Sequence, residues 1–285
     1  MFVSDLTFRK SSKGYLSLIP NLKFSTSLSY PMRKCLYLIL LVIPYIASCQ
    51  HPKATNQQEE KISGREYYTK AISEYESGSY DSAIPLMNKA LALIHKEDTL
   101  YSVILSARSA AYMNVGKLDS ARKDLEQLIK IYPQEIGYLV NLSNIFGEEH
   151  RYTECLALLE KAKSIDDSNA NIYMNLSYFS TESRAYDNAI KYAEKGLALT
   201  KDSILTGSIL NNLGFAQSRA ISVAKGLQTV NRSIKFFPEN SYAYFNRGRI
   251  LLDMNAMEEA CSDFIKARDL GGVVLTEEYI AKYCK

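Results

Sequence analysis

Tyr80-Asp81-Ser82-Ala83, Leu118-Asp119-Ser120-Ala121, Tyr152-Thr153-Glu154-Cys155, Tyr186-Asp187-Asn188-Ala189, Val223-Ala224-Lys225-Gly226 and Met257-Glu258-Glu259-Ala260 are six versions of one phrase. Each opens on an aromatic or aliphatic residue, has a small residue in fourth place and runs on toward an apolar pair such as Ala90-Leu91. Their starting positions are separated by 38, 34, 34, 37 and 34 residues. A period of this length, with insertions of three or four residues, marks a structural repeat. In the last copy Tyr244, Arg247, Gly248 and Leu251 follow i, i+3, i+4, i+7 spacing, one helical stripe. Small residues at Gly248 and Ala260 let two helices approach closely. One such pair cannot bury its apolar face alone, so neighbours must stack into a continuous core. The period and the helical stripe predict an all-α fold of stacked helices over 64–271.

On these residues the chain resembles the tetratricopeptide-repeat family, whose unit is two antiparallel helices, A and B, in 34 residues; the resemblance implies an α-α superhelix of about six helix pairs over 64–271. The small residue midway along helix A stands as Ala71, Ser109, Ser143, Ser177, Gly214 and Gly248, and that of helix B as Ala83, Ala121, Cys155, Ala189, Gly226 and Ala260. The closing proline is present at Pro133 and Pro238; His95, Asp167 and Lys201 replace it elsewhere. The family's early tryptophan is missing, with Tyr67, Leu105, Leu139, Tyr173, Leu210 and Tyr244 in its place. Copy five reads as the weakest, because Gly226 inside a helix costs about 1 kcal/mol against alanine. The insertions fall after Leu93 and after Thr200, where about one helical turn can be added. Residues 272–285 are expected to form a capping helix, with Thr276 as N-cap and Leu275, Ile280 and Tyr283 covering the end of copy six.

Composition agrees with a folded helical chain. Thirteen glycines and seven prolines in 285 residues are too few for a turn-rich all-β protein. Charged residues at 23% exclude a disordered polyelectrolyte, and a net charge of +3 gives no footprint for nucleic acid. The positive excess sits at the front. Residues 1–48 hold six basic side chains and one acid, leaving 28 basic and 30 acidic residues behind them.

Met32-Arg33-Lys34 is a short basic stretch, followed by thirteen uncharged residues from Cys35 to Ala47 that Pro44 interrupts. A spanning helix needs about 20 apolar residues, so the length suits a signal peptide instead. The run ends in Ile46-Ala47-Ser48-Cys49, which resembles the lipobox of bacterial lipoproteins. The resemblance implies cleavage before Cys49 and acylation of its thiol. Acyl chains stabilise membrane attachment by about 0.8 kcal/mol per CH₂. Gln50 after the cysteine favours the outer membrane over inner-membrane retention, with the protein facing the periplasm. Residues 1–31 are expected to be disordered or not translated, 32–48 to be the signal peptide, and 49–63 to be a polar tether.

Cys155 takes a position where the repeat wants a small buried residue, and inert packing is its expected role. Cys261 lies on the side of helix B that faces the following helix, and Cys284 lies on that helix. In an oxidising compartment a bridge between them would close 23 residues; the alternative is two free thiols. No Cys-x-x-Cys or Cys/His spacing calls for a metal, and no phosphate loop, nucleophile elbow or triad calls for a cofactor or a catalytic residue. His51, His95 and His150, and the pairs Glu148-Glu149 and Asp166-Asp167, read as structural or solvated groups.

Asn141, Asn175, Asn212 and Asn246 occupy one position of helix A in copies three to six. In the tetratricopeptide superhelix that position faces the concave surface. Exposed asparagines there could bond the backbone of an extended peptide without reading its sequence; the alternative is that they face water or serve the fold. Tyr178, Phe215, Tyr242, Phe245 and Arg249 are further concave candidates. The carboxylate clamp of chaperone-binding members is not expected, because Tyr68, Ile72, Ser106 and Ala110 stand at its positions. The resulting expectation is a non-catalytic, lipid-anchored scaffold that holds a peptide or helix of another envelope protein. Two alternatives are an accessory lipoprotein for outer-membrane-protein or pilus-secretin assembly, and a glycan-acting enzyme with two carboxylates in the groove.

Overall fold

The computed structural model describes residues 6–10, 16–20, 62–271 and 273–284. Six helix pairs follow one another: α1 Gly64–Glu76 with α2 Tyr80–Leu93, α3 Thr99–Asn114 with α4 Leu118–Ile131, and α5 Ile136–Glu148 with α6 Tyr152–Ile165. They continue as α7 Ala170–Glu182 with α8 Tyr186–Leu199, α9 Ser203–Ala220 with α10 Val223–Phe236, and α11 Ser241–Asp253 with α12 Met257–Asp269, before a last helix, α13 Thr276–Tyr283. Every B helix begins on the first residue of one of the six phrases. The fold is the expected all-α superhelix. Each helix packs on its neighbours in sequence, and α9 also touches α7 and α11, the A helices on either side of it.

The insertions lengthen A helices. Four of these have 13 residues, whereas α3 has 16 and α9 has 18. Between helices A and B, one residue turns into the left-handed region: Gly78, Gly116, His150, Arg184 and Asn255 have φ of 83°, 73°, 58°, 64° and 60°. The next residue's N–H then bonds a carbonyl five residues back, as Arg151 does to Phe146 and Ala185 to Ser180, closing each A helix with a Schellman-type cap. Repeat five departs from this. Its A helix runs on to Ala220, and the Ser222 hydroxyl accepts the Lys225 N–H to start α10.

The small positions are where helices A and B meet. Ala71, Ala83, Ala121, Ser143, Cys155, Ser177, Ala189 and Ala260 are fully buried. Burial pushes the Cys155 thiol up to about 12, leaving it uncharged, as inert packing requires. In repeat five glycine faces glycine. A Cβ on Gly226 would lie 2.6 Å from the Gly214 carbonyl oxygen, and one on Gly214 would lie 2.8 Å from the Val230 nitrogen. The close backbone approach leaves no room for alanine at 226, so packing requires the glycine despite its helix cost.

Repeats two and six share a polar staple. Arg108 Nε and Nη2 donate to both Asp124 oxygens at 2.8 and 2.6 Å, and Nη1 reaches Asn88 Oδ1 on the preceding B helix at 2.7 Å. Arg247 repeats this with Asp263 at 2.6 and 2.6 Å and with Asn231 at 2.9 Å. Repeats three, four and five place Leu142, Leu176 and Leu213 at the arginine position and Leu158, Tyr192 and Thr229 at the aspartate position.

The end cap differs in detail from expectation. Leu275, not Thr276, is the N-cap residue of α13; Thr276 is the buried first residue of the helix, and its hydroxyl accepts the Val273 N–H. Tyr279, with Ile280, covers repeat six. Its ring lies 5.1 Å from Phe245 and 5.2 Å from Phe264, whereas Leu275 is exposed. Cys261 and Cys284 form a disulfide, with Cα atoms 5.5 Å apart, that fastens α13 to α12.

At the front, Ser63 caps α1 in a reciprocal capping box with Glu66, so the ordered array takes in the last residue of the expected tether. Within residues 1–31, for which no structure was expected, β1 Leu6–Lys10 pairs antiparallel with β2 Leu16–Pro20, and β2 runs beside α5. Both segments open with apolar-polar alternation, Leu-Thr-Phe and Leu-Ser-Leu, a period-two signal. The expected signal peptide over 32–48 and the lipid-bearing Cys49 lie outside the described residues. Among the described residues no helix is long and apolar enough to cross a membrane.

Candidate functional site on the concave face

The inner surface of the superhelix is made by the A helices. Asn141, Asn175, Asn212 and Asn246 recur there one repeat apart, but the first three are buried rather than exposed. The Asn212 side chain donates to the Met174 carbonyl at 3.3 Å, and Asn246 donates to Asn211 Oδ1 at 3.0 Å. From repeat four to repeat six the ladder therefore ties neighbouring A helices together. Asn175 is only 1% exposed, and its Oδ1 has no hydrogen-bond partner. Phe215 lies beneath two guanidinium groups, Arg249 at 4.2 Å and Arg219 at 4.9 Å from its ring centre, which removes it from the accessible surface.

The remaining candidates converge. Tyr178, Tyr242, Phe245, Asn246 and Arg249 line a cleft of about 340 Å³ that brings repeats three and four opposite repeat six. Sequence reasoning missed the other side of this cleft, which is formed by Glu148, His150, Tyr152, Glu182 and the 273–275 connection. The superhelix curves, so residues about a hundred positions apart share one concavity. The repeated position of Glu148 and Glu182, each the last residue of an A helix, was the available signal.

The electrostatics follow from enclosure. Glu182 is an exposed side chain at the cleft mouth, crowded by protein atoms on its cleft side. That desolvation raises its pKa against the opposing pull of Arg249 and His150. Burial, reinforced by Glu182 and Glu148, holds the Tyr178 and Tyr242 hydroxyls far above the ordinary phenol value, so both rings stay neutral. His150 Nδ1 is 2.8 Å from the Tyr152 hydroxyl, which orients that ring. The cleft is lined by apolar walls, neutral hydroxyls and two carboxylates. Among the described residues no group of three or more His, Cys, Asp or Glu is placed to hold a metal ion.

The fold defines a protein built of stacked helical-hairpin repeats. The tetratricopeptide-repeat family model matches residues 104–135 and 241–269, the stretches that contain the two Arg–Asp staples. Together with the fold, the match supports a tetratricopeptide-repeat protein and, in general terms, a protein–protein interaction scaffold; proteins of this kind are typically non-catalytic.

Among known proteins, the chain is similar to a Dictyostelium discoideum protein named as a homolog of DnaJ homolog subfamily C member 7, at 24% identity over 119 residues. That stretch is 42% of this chain and only 21% of the relative's length. Its architecture resembles the APC/C hetero-tetramer Cut9–Hcn1, with a TM-score of 0.61 at 9% identity over 78% of this chain and 43% of that one. It also resembles TTC0263, a thermophilic tetratricopeptide-repeat protein of Thermus thermophilus. There the TM-score is 0.51 at 16% identity, over 67% of this chain and all of the other. At these identities the likeness concerns the fold.

Proposed function

We propose that the chain is a lipid-anchored scaffold whose concave face holds an extended segment or helix of another envelope protein. The observation that carries the binding role is the cleft. Five of the nine concave candidates meet there, on the inner face of an array whose fold supports protein–protein interaction. The Ile46-Ala47-Ser48-Cys49 motif supports the anchor and, with Gln50, an outer-membrane, periplasm-facing place. Asn175 is buried, and Asn212 and Asn246 join neighbouring A helices, so the asparagines support the wall behind the cleft.

Two experiments test the two halves. Metabolic labelling with an alkyne fatty acid should mark the wild-type protein and not Cys49→Ser; equal labelling of both sinks the anchor. Crosslinking from a photoreactive residue at Tyr242 in intact envelopes should trap one discrete protein. A trapped pattern unchanged by Tyr178→Ala sinks the groove. Loss of one outer-membrane protein or secretin on deletion would narrow the scaffold to an assembly role.

A glycan-acting enzyme is the second reading, because Glu148 and Glu182 give the cleft its pair of carboxylates. Hydrolysis of a fluorogenic glycoside that disappears in both Glu148→Gln and Glu182→Gln would replace the scaffold reading.

A further inference from the structure

The cleft carries a charge signature that a generic peptide groove does not need. Glu148 and Glu182 each end an A helix, and neither helix has a basic residue in its last turn. Acids at helix C-termini sit against the negative end of the helix dipole, a placement that costs stability. Here two such ends open into one cavity. Tyr178, Tyr242 and Phe245 supply aromatic walls, and Val273, Val274 and Leu275 an apolar rim, with Val274 73% exposed. The cation already present, Arg249, acts on Glu182 but has its guanidinium over the rings of Phe215 and Phe245, at 4.2 and 5.7 Å.

Taking the concave face to hold a protein segment, we propose that this cleft receives a lysine or arginine side chain of that segment. The methylene stem lies along the rim and the rings, while the charged head meets Glu148 and Glu182. Charge complementarity selects this occupant. Two carboxylates and two helix C-termini outweigh one guanidinium and the His150 imidazole beside them, and ring faces attract cations. A volume of about 340 Å³ suits one long side chain with some water.

The test uses the full chain and small probes, so it does not depend on capture of a partner. N-acetyl-lysine methylamide, N-acetyl-arginine methylamide and the uncharged N-acetyl-norleucine methylamide are titrated while the Tyr178 and Tyr242 ring signals are followed by NMR. The two cationic probes should bind at least about tenfold more tightly than norleucine. Glu148→Gln combined with Glu182→Gln should erase that preference with the helical circular dichroism unchanged. Arg249→Gln, which removes the competing cation, should strengthen binding of the cationic probes. Equal shifts from all three probes, a preference that survives the double substitution, or weaker binding in Arg249→Gln each overturns the proposal. Loss of the cation preference with envelope crosslinking from Tyr242 intact refutes the basic-residue pocket alone. Loss of crosslinking with the preference intact refutes the segment-binding reading instead.

Discussion

Arg184 holds a left-handed turn that glycine holds in the first two repeats. A non-glycine residue there costs about 1 kcal/mol, so Arg184→Gly is expected to stabilise the protein by about 0.5–1 kcal/mol in urea denaturation. Glu182 offers a pH test. Its pKa is raised above the ordinary 4.5, so the folded protein holds the proton more tightly than the unfolded chain. The folded state is favoured in acid and loses that advantage as pH rises through the folded value. Glu182→Gln should therefore unfold at a higher temperature than the wild type near neutral pH and match it in acid; a lower melting temperature at neutral pH would contradict this. The sequence showed the register of the asparagines but not their partners. The Asn212 bond to the Met174 carbonyl depends on how closely two A helices approach, which no one-dimensional pattern contains. Glu148 and His150 read as solvated for a similar reason: adjacent side chains on a helix diverge, and only superhelical curvature brings Glu148 near Tyr242.

Helix boundaries were far more legible. The phrase starts coincide with the B-helix starts, because the small residue three places on must sit at the crossing point with helix A. The pairing of Arg108 with Asp124, and of Arg247 with Asp263, was hidden because repeats three to five use leucine at the arginine position and leucine, tyrosine or threonine at the aspartate position. That substitution pattern supplies a test. Arg108→Leu alone leaves Asp124, whose side chain is 7% exposed, without its guanidinium, and should cost about 3 kcal/mol. Arg108→Leu with Asp124→Leu copies Leu142 and Leu158 of the next repeat and should recover to within about 1 kcal/mol of the wild type. Equilibrium denaturation of the two variants measures both. At the other end of the array, reducing the Cys261–Cys284 bridge reopens a 23-residue loop and should remove roughly 3 kcal/mol. Hydrogen exchange should then show α13 losing protection before any other helix.

At the scale of the whole molecule, a 34-residue period suffices for the architecture because each repeat contacts little beyond its neighbours. The cleft is the exception, since it needs the array to curl until repeat six faces repeats three and four. The period encodes stacking, whereas curvature accumulates from small offsets such as the Gly214–Gly226 approach and the lengthened α9. The clasp at the far end also has a mechanical meaning. If the two chain termini are pulled apart in an optical trap, the residues between Cys261 and Cys284 are shielded from tension. At about 3.5 Å per residue, the fully stretched oxidised chain should fall short of the reduced one by roughly 75 Å.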